Sequence, residues 1–147
     1  MSAMVETTTR ELHCVVVTPE RALLDEPADF VALPLYDGEL GVLPGRAPLI
    51  GRLGYGELRM RRGDRTERFF LDGGFAQVRH NVVTVLTARA QRAAEIDVAA
   101  ATQALQAALA PAATPQDQEA HQRAQERARA QLRVARHREE AAARHHG

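Results

Sequence analysis

The sequence predicts a β-plus-α protein: an antiparallel β domain, sandwich or barrel, followed by an α-helical hairpin. Two observations predict this. The composition changes sharply near Ala90, before which lie every phenylalanine and tyrosine and nearly all the glycines; after it Ala, Gln, Glu and Arg dominate. The hydrophobic pattern changes at the same place, from short β-rich runs between turn residues to apolar positions three and four apart. The expected organisation is a disordered extension over 1–11, a β domain over 12–90 and a helical hairpin over 91–147.

The strands follow from local chemistry. Leu12 to Thr18 is rich in β-branched residues and stops at Pro19. Arg21 to Leu24 is a short candidate. Asp29 to Tyr36 puts Val31, Leu33 and Leu35 on one face. Gly51, Gly54 and Gly56 read as turn and bulge positions. Glu57 to Arg61 alternates, with Leu58 and Met60 inward. Arg68 to Leu71 and Phe75 to Arg79 flank Asp72-Gly73-Gly74, read as a tight turn. Asn81 then turns the chain into Val82 to Leu86.

Gln91 to Ala110 has helical composition, with Asp97 read as an N-cap or first-turn acid. Val98, Ala101, Leu105, Ala108 and Leu109 share one face. Pro111 to Pro115 interrupts the helix, and Thr114-Pro115 restarts it with proline in the first helical position. The second helix is expected to reach about Ala143, with Ala120, Ala124, Ala128, Leu132 and Ala135 as its apolar stripe. Large side chains are scarce here: Val98, Leu105, Leu109, Leu132 and Val134 are almost the whole supply. Alanine favours each helix but offers little area to bury. The hairpin is therefore expected to be held loosely and to be able to move.

A length of 147 residues bounds the chain to one domain, or one plus a small appendage. The net charge is zero, so no overall field draws it to nucleic acid or acidic lipid. All 19 basic residues are arginine, which reads as codon bias in a GC-rich, bacterial genome. Cys14 is the one cysteine and sits in the apolar run LHCVVV, where it packs as a small hydrophobe. An unpaired cysteine suits a reducing compartment. No run approaches the ~20 apolar residues of a membrane span, and the first residues lack signal architecture. The chain is thus expected in the cytosol, meeting a membrane only through a partner.

Catalytic readings find little support. Gly38, Gly41 and Gly45 are not a phosphate loop, because Pro44 and Pro48 keep the chain extended or turning and no GK[ST] follows. The six histidines are scattered, and His121 and His137 are too far apart to share a helical metal site. His145 and His146 would bind metal only adventitiously. Neither a Ser/His/Asp nor a Cys/His set stands out. No cofactor and no metal are expected. The more informative feature is a run of arginines, Arg123, Arg127, Arg129, Arg133, Arg136 and Arg138, opposed only by Glu126. It reads either as a solvated face or as a stripe that docks on an acidic protein surface. RNA is a third option, weakened by the absence of aromatics for stacking.

Several motifs in order carry a family resemblance: Gly38-Glu39-Leu40-Gly41, Leu43-Pro44-Gly45, Ala47-Pro48-Leu49, Gly73-Gly74-Phe75, Asn81 through Thr87, Glu95-Ile96-Asp97 and Leu132-Arg133-Val134-Ala135-Arg136. From about Leu12 onward the chain resembles the epsilon-subunit family of F-type ATP synthases. The resemblance implies a β-sandwich and a two-helix hairpin in a non-catalytic central-stalk rotor subunit. Such a subunit couples ion flow through the ring to ATP synthesis and conditionally inhibits ATP hydrolysis. The sandwich would bind the gamma subunit and the c subunits of the membrane ring through Glu39, Gly41, Pro44, Arg46 and Pro48. Many relatives carry histidine where this chain has Arg46.

In the family the hairpin lies on the sandwich or rises along gamma. Raised, its last helix meets acidic segments of the alpha and beta subunits of the catalytic head. The resemblance gives that contact to Arg123, Arg127, Arg129 and Arg133. Some relatives bind ATP through Ile/Leu-Asp-x-x-Arg-Ala. Here the stretch is Ile96-Asp97-Val98-Ala99-Ala100-Ala101, so alanine replaces the arginine. A degenerate site of Asp97 and Arg127, with weak or no ATP binding, is expected. The implied location is peripheral, on the cytoplasmic face of the bacterial inner membrane. Two other readings stand beside this one: a nucleotide-sensing hairpin, and a β-sandwich adaptor for RNA or an acidic protein.

Overall fold

The computed structural model describes residues 11–146, with side chains through residue 144. The expected extension lies outside the described residues except for Glu11. Eight strands come first among these residues: β1 (Leu12–Val17), β2 (Ala22–Ala28), β3 (Phe30–Leu35), β4 (Gly38–Val42), β5 (Leu49–Arg62), β6 (Arg65–Arg79), β7 (Val82–Leu86) and β8 (Ala90–Arg92). A 3-10 turn (Ala93–Glu95) leads to helices α1 (Val98–Ala108) and α2 (Pro115–His146). The hydrogen-bonded order is β2-β1-β7-β6-β5-β3-β4, with β8 added on β6.

One core joins the two ends of this path. Leu12, Cys14, Val16, Val83 and Val85 from the β1/β7 side pack in the same cluster as Val31, Leu33, Leu58 and Met60 from the β3/β5 side. The sheet therefore folds over on itself as a sandwich. Strands β5 and β6 make this possible because they pass through both layers. Their register holds from Leu49↔Val78 to Arg62↔Arg65, yet the buried phase switches midway. Leu53 points inward on β5, but further along Gly56, Leu58 and Met60 do. On β6 the inward residues change from Phe69 and Leu71 to Ala76 and Val78. A pleat of period two changes phase only where the backbone is bent.

That bend explains the main corrections. Asp72-Gly73-Gly74 is not a hairpin turn between two strands but a kink inside continuous β6. Gly73 and Gly74 have φ of +70° and +109°. A Cβ on Gly74 would lie 2.0 Å from the Leu86 carbonyl oxygen, so only glycine fits. Likewise, Gly51, Gly54 and Gly56 lie within β5, which is far longer than Glu57 to Arg61. The second strand runs on through Pro27 to Ala28, and β4 occupies a stretch read as extended or turning, for which no strand was expected. The sheet is not wholly antiparallel, since β1 runs parallel to β7. Asn81 does turn the chain: His80 and Asn81 both have positive φ between β6 and β7.

The helical region begins later than composition suggested. Residues 90–92 pair with β6 at Leu71, Phe70 and Phe69, so strand and 3-10 turn precede any α-helix. Asp97 is the N-cap of α1, its carboxylate accepting from the Ala100 amide at 3.0 Å. Thr114 caps α2 the same way through the Asp117 amide at 3.1 Å, with Pro115 in the first helical position. The helices pack antiparallel. Gln125 donates to the Ala108 carbonyl at 2.9 Å, and the His121 ring meets the Ala110 carbonyl at 3.0 Å. Ala101 and Ala108 are buried on α1, whereas Val98 and Leu109 from the same expected face are exposed.

Helix α2 has a second contact face, of which the expected stripe contained Ala135 but not Ala130 or Val134. Ala130, Val134 and Ala135 pack with Phe70, Ala93 and Ile96, with half-buried Tyr55 at the margin. The hairpin thus lies down on the sandwich, over the outward side of β5 and β6. Ala120 is exposed.

Candidate functional site

Residues of β5, β6 and β7 that point away from the core form one surface. Cross-strand partners share a face, so the pairs Ile50↔Gln77, Arg52↔Phe75, Phe75↔Leu86 and Arg79↔Val82 define it. Ile50 is 77% exposed, Phe75 57% and Leu86 56%. Large apolar side chains set side by side on an outer sheet face make this a candidate docking surface. Phe75 stands directly after the kink at Gly73-Gly74, and that position aims it outward.

The motif-bearing segment 38–48 lies at the margin of the sandwich. Its two ends do different things. Glu39 belongs to β4, opposite Pro34 of β3, and pairs with Arg59 at 3.5 Å. Gly41 leaves room for the Phe30 ring, which a Cβ would approach to 3.0 Å. Beyond Val42 the chain turns. Gly45 has φ of +88°, and its amide donates to the Asn81 side-chain oxygen at 2.8 Å, tying this turn to the β6–β7 turn. Arg46 and Pro48 are exposed there, and Pro44 is half-buried. Glu39 and Arg46 therefore sit at opposite ends of β4, with Glu39 about 10 Å along the strand from Val42.

The hairpin meets the sandwich through a polar clasp as well as the small core. Arg127 Nε donates to both oxygens of Asp72, at 3.1 and 3.2 Å, and its guanidinium lies 5.4 Å from the centre of the Tyr55 ring. The His137 ring meets Glu57 at 3.0 Å, and Glu57 also accepts from Arg68 at 3.0 Å. Gln131 donates to Gln91 at 2.7 Å. The side chains of Asp72 and Glu57 are each only 10% exposed. Arg123, Arg129 and Arg133 remain exposed, whereas Arg127 is partly covered. The stripe is thus divided: Arg123, Arg129, Arg133, Arg136 and Arg138 are presented to solvent, and Arg127 is engaged with the sandwich.

Asp97 and Arg127 do not converge. Asp97 caps α1 at its start, whereas the α2 turn carrying Arg127 lies beside Ala108, at its end. About 15 Å of helix separates the two ends. A clasp cleft of about 510 Å³ is lined by Glu39, Glu57, Arg59, Arg68, Arg133 and His137 among others. Among the described residues no cluster of three or more His, Cys, Asp or Glu side chains is placed to hold a metal. Cys14 is buried, and burial, with the Glu26 charge adding, pushes its thiol up to about 12. An inert thiol is the chemical result.

Sequence reasoning missed Asp72, Glu57, Tyr55 and Phe70. One signal was present: Phe69-Phe70-Leu71 breaks alternation, and three successive apolar residues in a strand need cover on both faces.

The fold defines a β-sandwich with an exposed apolar outer face and a helical hairpin clasped to it by ion pairs. Comparison with known proteins places it. The β-sandwich domain of the ATP synthase delta/epsilon chain matches residues 11–93. The ATP synthase epsilon chain of Rhodopirellula baltica is 56% identical over 126 residues, covering 85% of this chain and 98% of that one. That of Nitratidesulfovibrio vulgaris strain DP4 is 39% identical over 128 residues, covering 85% and 96%. A chain in the Euglena gracilis mitochondrial ATP synthase structure superposes with a TM-score of 0.76 at 25% identity, covering 82% of this chain and 78% of that one. A chain from the central stalk and c-ring of the Tetrahymena thermophila enzyme, 14% identical, shares the fold with a TM-score of 0.66. The chain belongs to the ATP synthase epsilon-chain family and is a non-catalytic subunit of that complex. No helix among the described residues is long and apolar enough to cross a membrane.

Proposed function

We propose that this subunit is a rotor coupler and a conditional brake. The outer face around Ile50, Phe75 and Leu86, with the segment carrying Glu39, Gly41, Pro44, Arg46 and Pro48, docks on the gamma subunit and the c subunits of the membrane ring. Torque from ion flow through the ring then passes to the catalytic head. The hairpin, once lifted, lays Arg123, Arg129 and Arg133 against acidic segments of the alpha and beta subunits and stops rotation in the hydrolysis direction. The complex holds the subunit at the cytoplasmic face of a bacterial inner membrane.

The observation that carries the braking role is the divided arginine stripe on a hairpin held by little apolar surface. A long basic helix with a slim core is suited to exchange one partner for another. The nucleotide-sensing reading gains no support, because Asp97 serves as a helix cap and Ala100 offers no cation. The test is ATP hydrolysis by the homologous catalytic head with gamma, with and without the full-length chain. The wild-type chain is expected to inhibit, and the R123E/R129E/R133E variant to bind gamma equally while inhibiting at least about tenfold less. Equal inhibition by the two would end the braking role.

A further inference from the structure

We infer that Asp72 is the anchor of a ligand-independent latch, and that Arg127 cannot serve the latch and the catalytic head at once. The latch is a property of this chain alone; only the mutual exclusion rests on the braking role proposed above.

The geometry builds the latch from a rigid side and a movable one. Asp72 lies on β6 immediately before Gly73 and Gly74, in the kink that fixes how the two layers join. Its backbone amide donates to the Arg89 carbonyl at 3.0 Å, which fastens the anchor from behind. Its carboxylate points out of the sandwich, on the same side as Phe70, and takes both bonds from Arg127 Nε. Tyr55 of β5 lies beside the guanidinium. Arg127 is on the movable side, within the turn of α2 that also carries Ala128 and Ala130, both buried.

Three features make this contact a control point. The docked hairpin shelters the Asp72 carboxylate, so the pair is screened less than a surface ion pair. The apolar hold beside it is slim, with Phe70, Ile96 and Val134 its only large buried side chains. A charge-assisted bond is then a substantial share of what keeps the hairpin down. Finally, Arg127 shares its helix face with Arg123, one turn earlier, whereas Arg129 and Arg133 lie roughly 120° or more away around the axis. Lifting α2 frees Arg127 to act beside Arg123, and returning it to Asp72 withdraws it. An acidic segment of a partner would compete with Asp72 for the same guanidinium.

Hydrogen exchange on the full-length chain tests this, using Asp72→Asn, Arg127→Gln and the double variant. Each single change is expected to speed exchange of α2 amides 127–141 about tenfold or more, with β1 and β7 unchanged. The double variant is expected to exchange no faster than either single one, because both remove the same contact. Unchanged α2 exchange in the single variants, or additive effects in the double, would overturn the latch. Inhibition of the catalytic head by Asp72→Asn separates the two claims. Stronger inhibition supports the exclusion, whereas faster exchange with unaltered inhibition leaves the latch standing and overturns the exclusion.

Discussion

Two apolar clusters lie back to back across β6, and they are built from different materials. Phe69 and Leu71 point into the sandwich among leucines and valines from six other strands. Phe70, between them, points the other way and meets Ile96, Val134 and three alanines. Both phenylalanines are fully buried. The first cluster interlocks large side chains whose loss opens cavities; the second covers one aromatic ring with a thin, mostly alanine surface and supplements it with ion pairs. The lesson is that burial alone does not report how firmly an element is held. On the function proposed above, the body that transmits torque has the first kind of core and the element proposed to lift has the second.

The largest effect should come from attacking the first cluster. Phe69→Ala is expected to cost about 3–5 kcal/mol and to lower the global denaturation midpoint. Phe70→Ala removes the same number of atoms at equal burial, yet should lower that midpoint far less. Its main result is expected to be rapid exchange of α1 and α2 amides. Equal global losses for the two variants would erase the distinction between the clusters.

The smallest effect concerns the inside of the sandwich and appears only in alkali. The native Cys14 thiol is raised from 9.0 to about 12. Its contribution to stability is therefore complete below about pH 9 and is lost as pH rises from there towards 12. Stability measured over that range should fall less steeply in Cys14→Ala than in the wild type. At pH 8 the native thiol should resist alkylation even when the hairpin is lifted, as in Phe70→Ala. Alkylation that keeps pace with hairpin opening would mean that the two regions open together.

Much of this division was legible in the sequence, and the reasons differ by element. The proline at the start of α2 and the Asp97 cap are local signals, and local signals survive folding, whereas the change of composition at Ala90 precedes the first α-helix by a strand and a 3-10 turn. The poverty of the hairpin in large side chains also foretold a slim interface. The continuity of β5 and β6 was not legible, because Gly54, Gly73 and Gly74 carry the residue chemistry of a turn, and only tertiary pairing makes them a bend. The clasp was hidden for a simpler reason. Asp72 and Arg127 are 55 residues apart, and no periodicity links a carboxylate on one element to a guanidinium on another. The resemblance supplied a family and a surface, but Glu39 and Arg46, close in sequence, stand at opposite ends of a strand.

The most direct measurement is native-state hydrogen exchange of the full-length chain across low denaturant concentrations. The account predicts two opening units. Amides of α1 and α2 should exchange through a sub-global opening of lower free energy and smaller denaturant dependence than amides of β1, β6 and β7. A single isotherm shared by helices and strands would contradict it, since a hairpin that opens only when the sandwich unfolds can be neither latch nor brake.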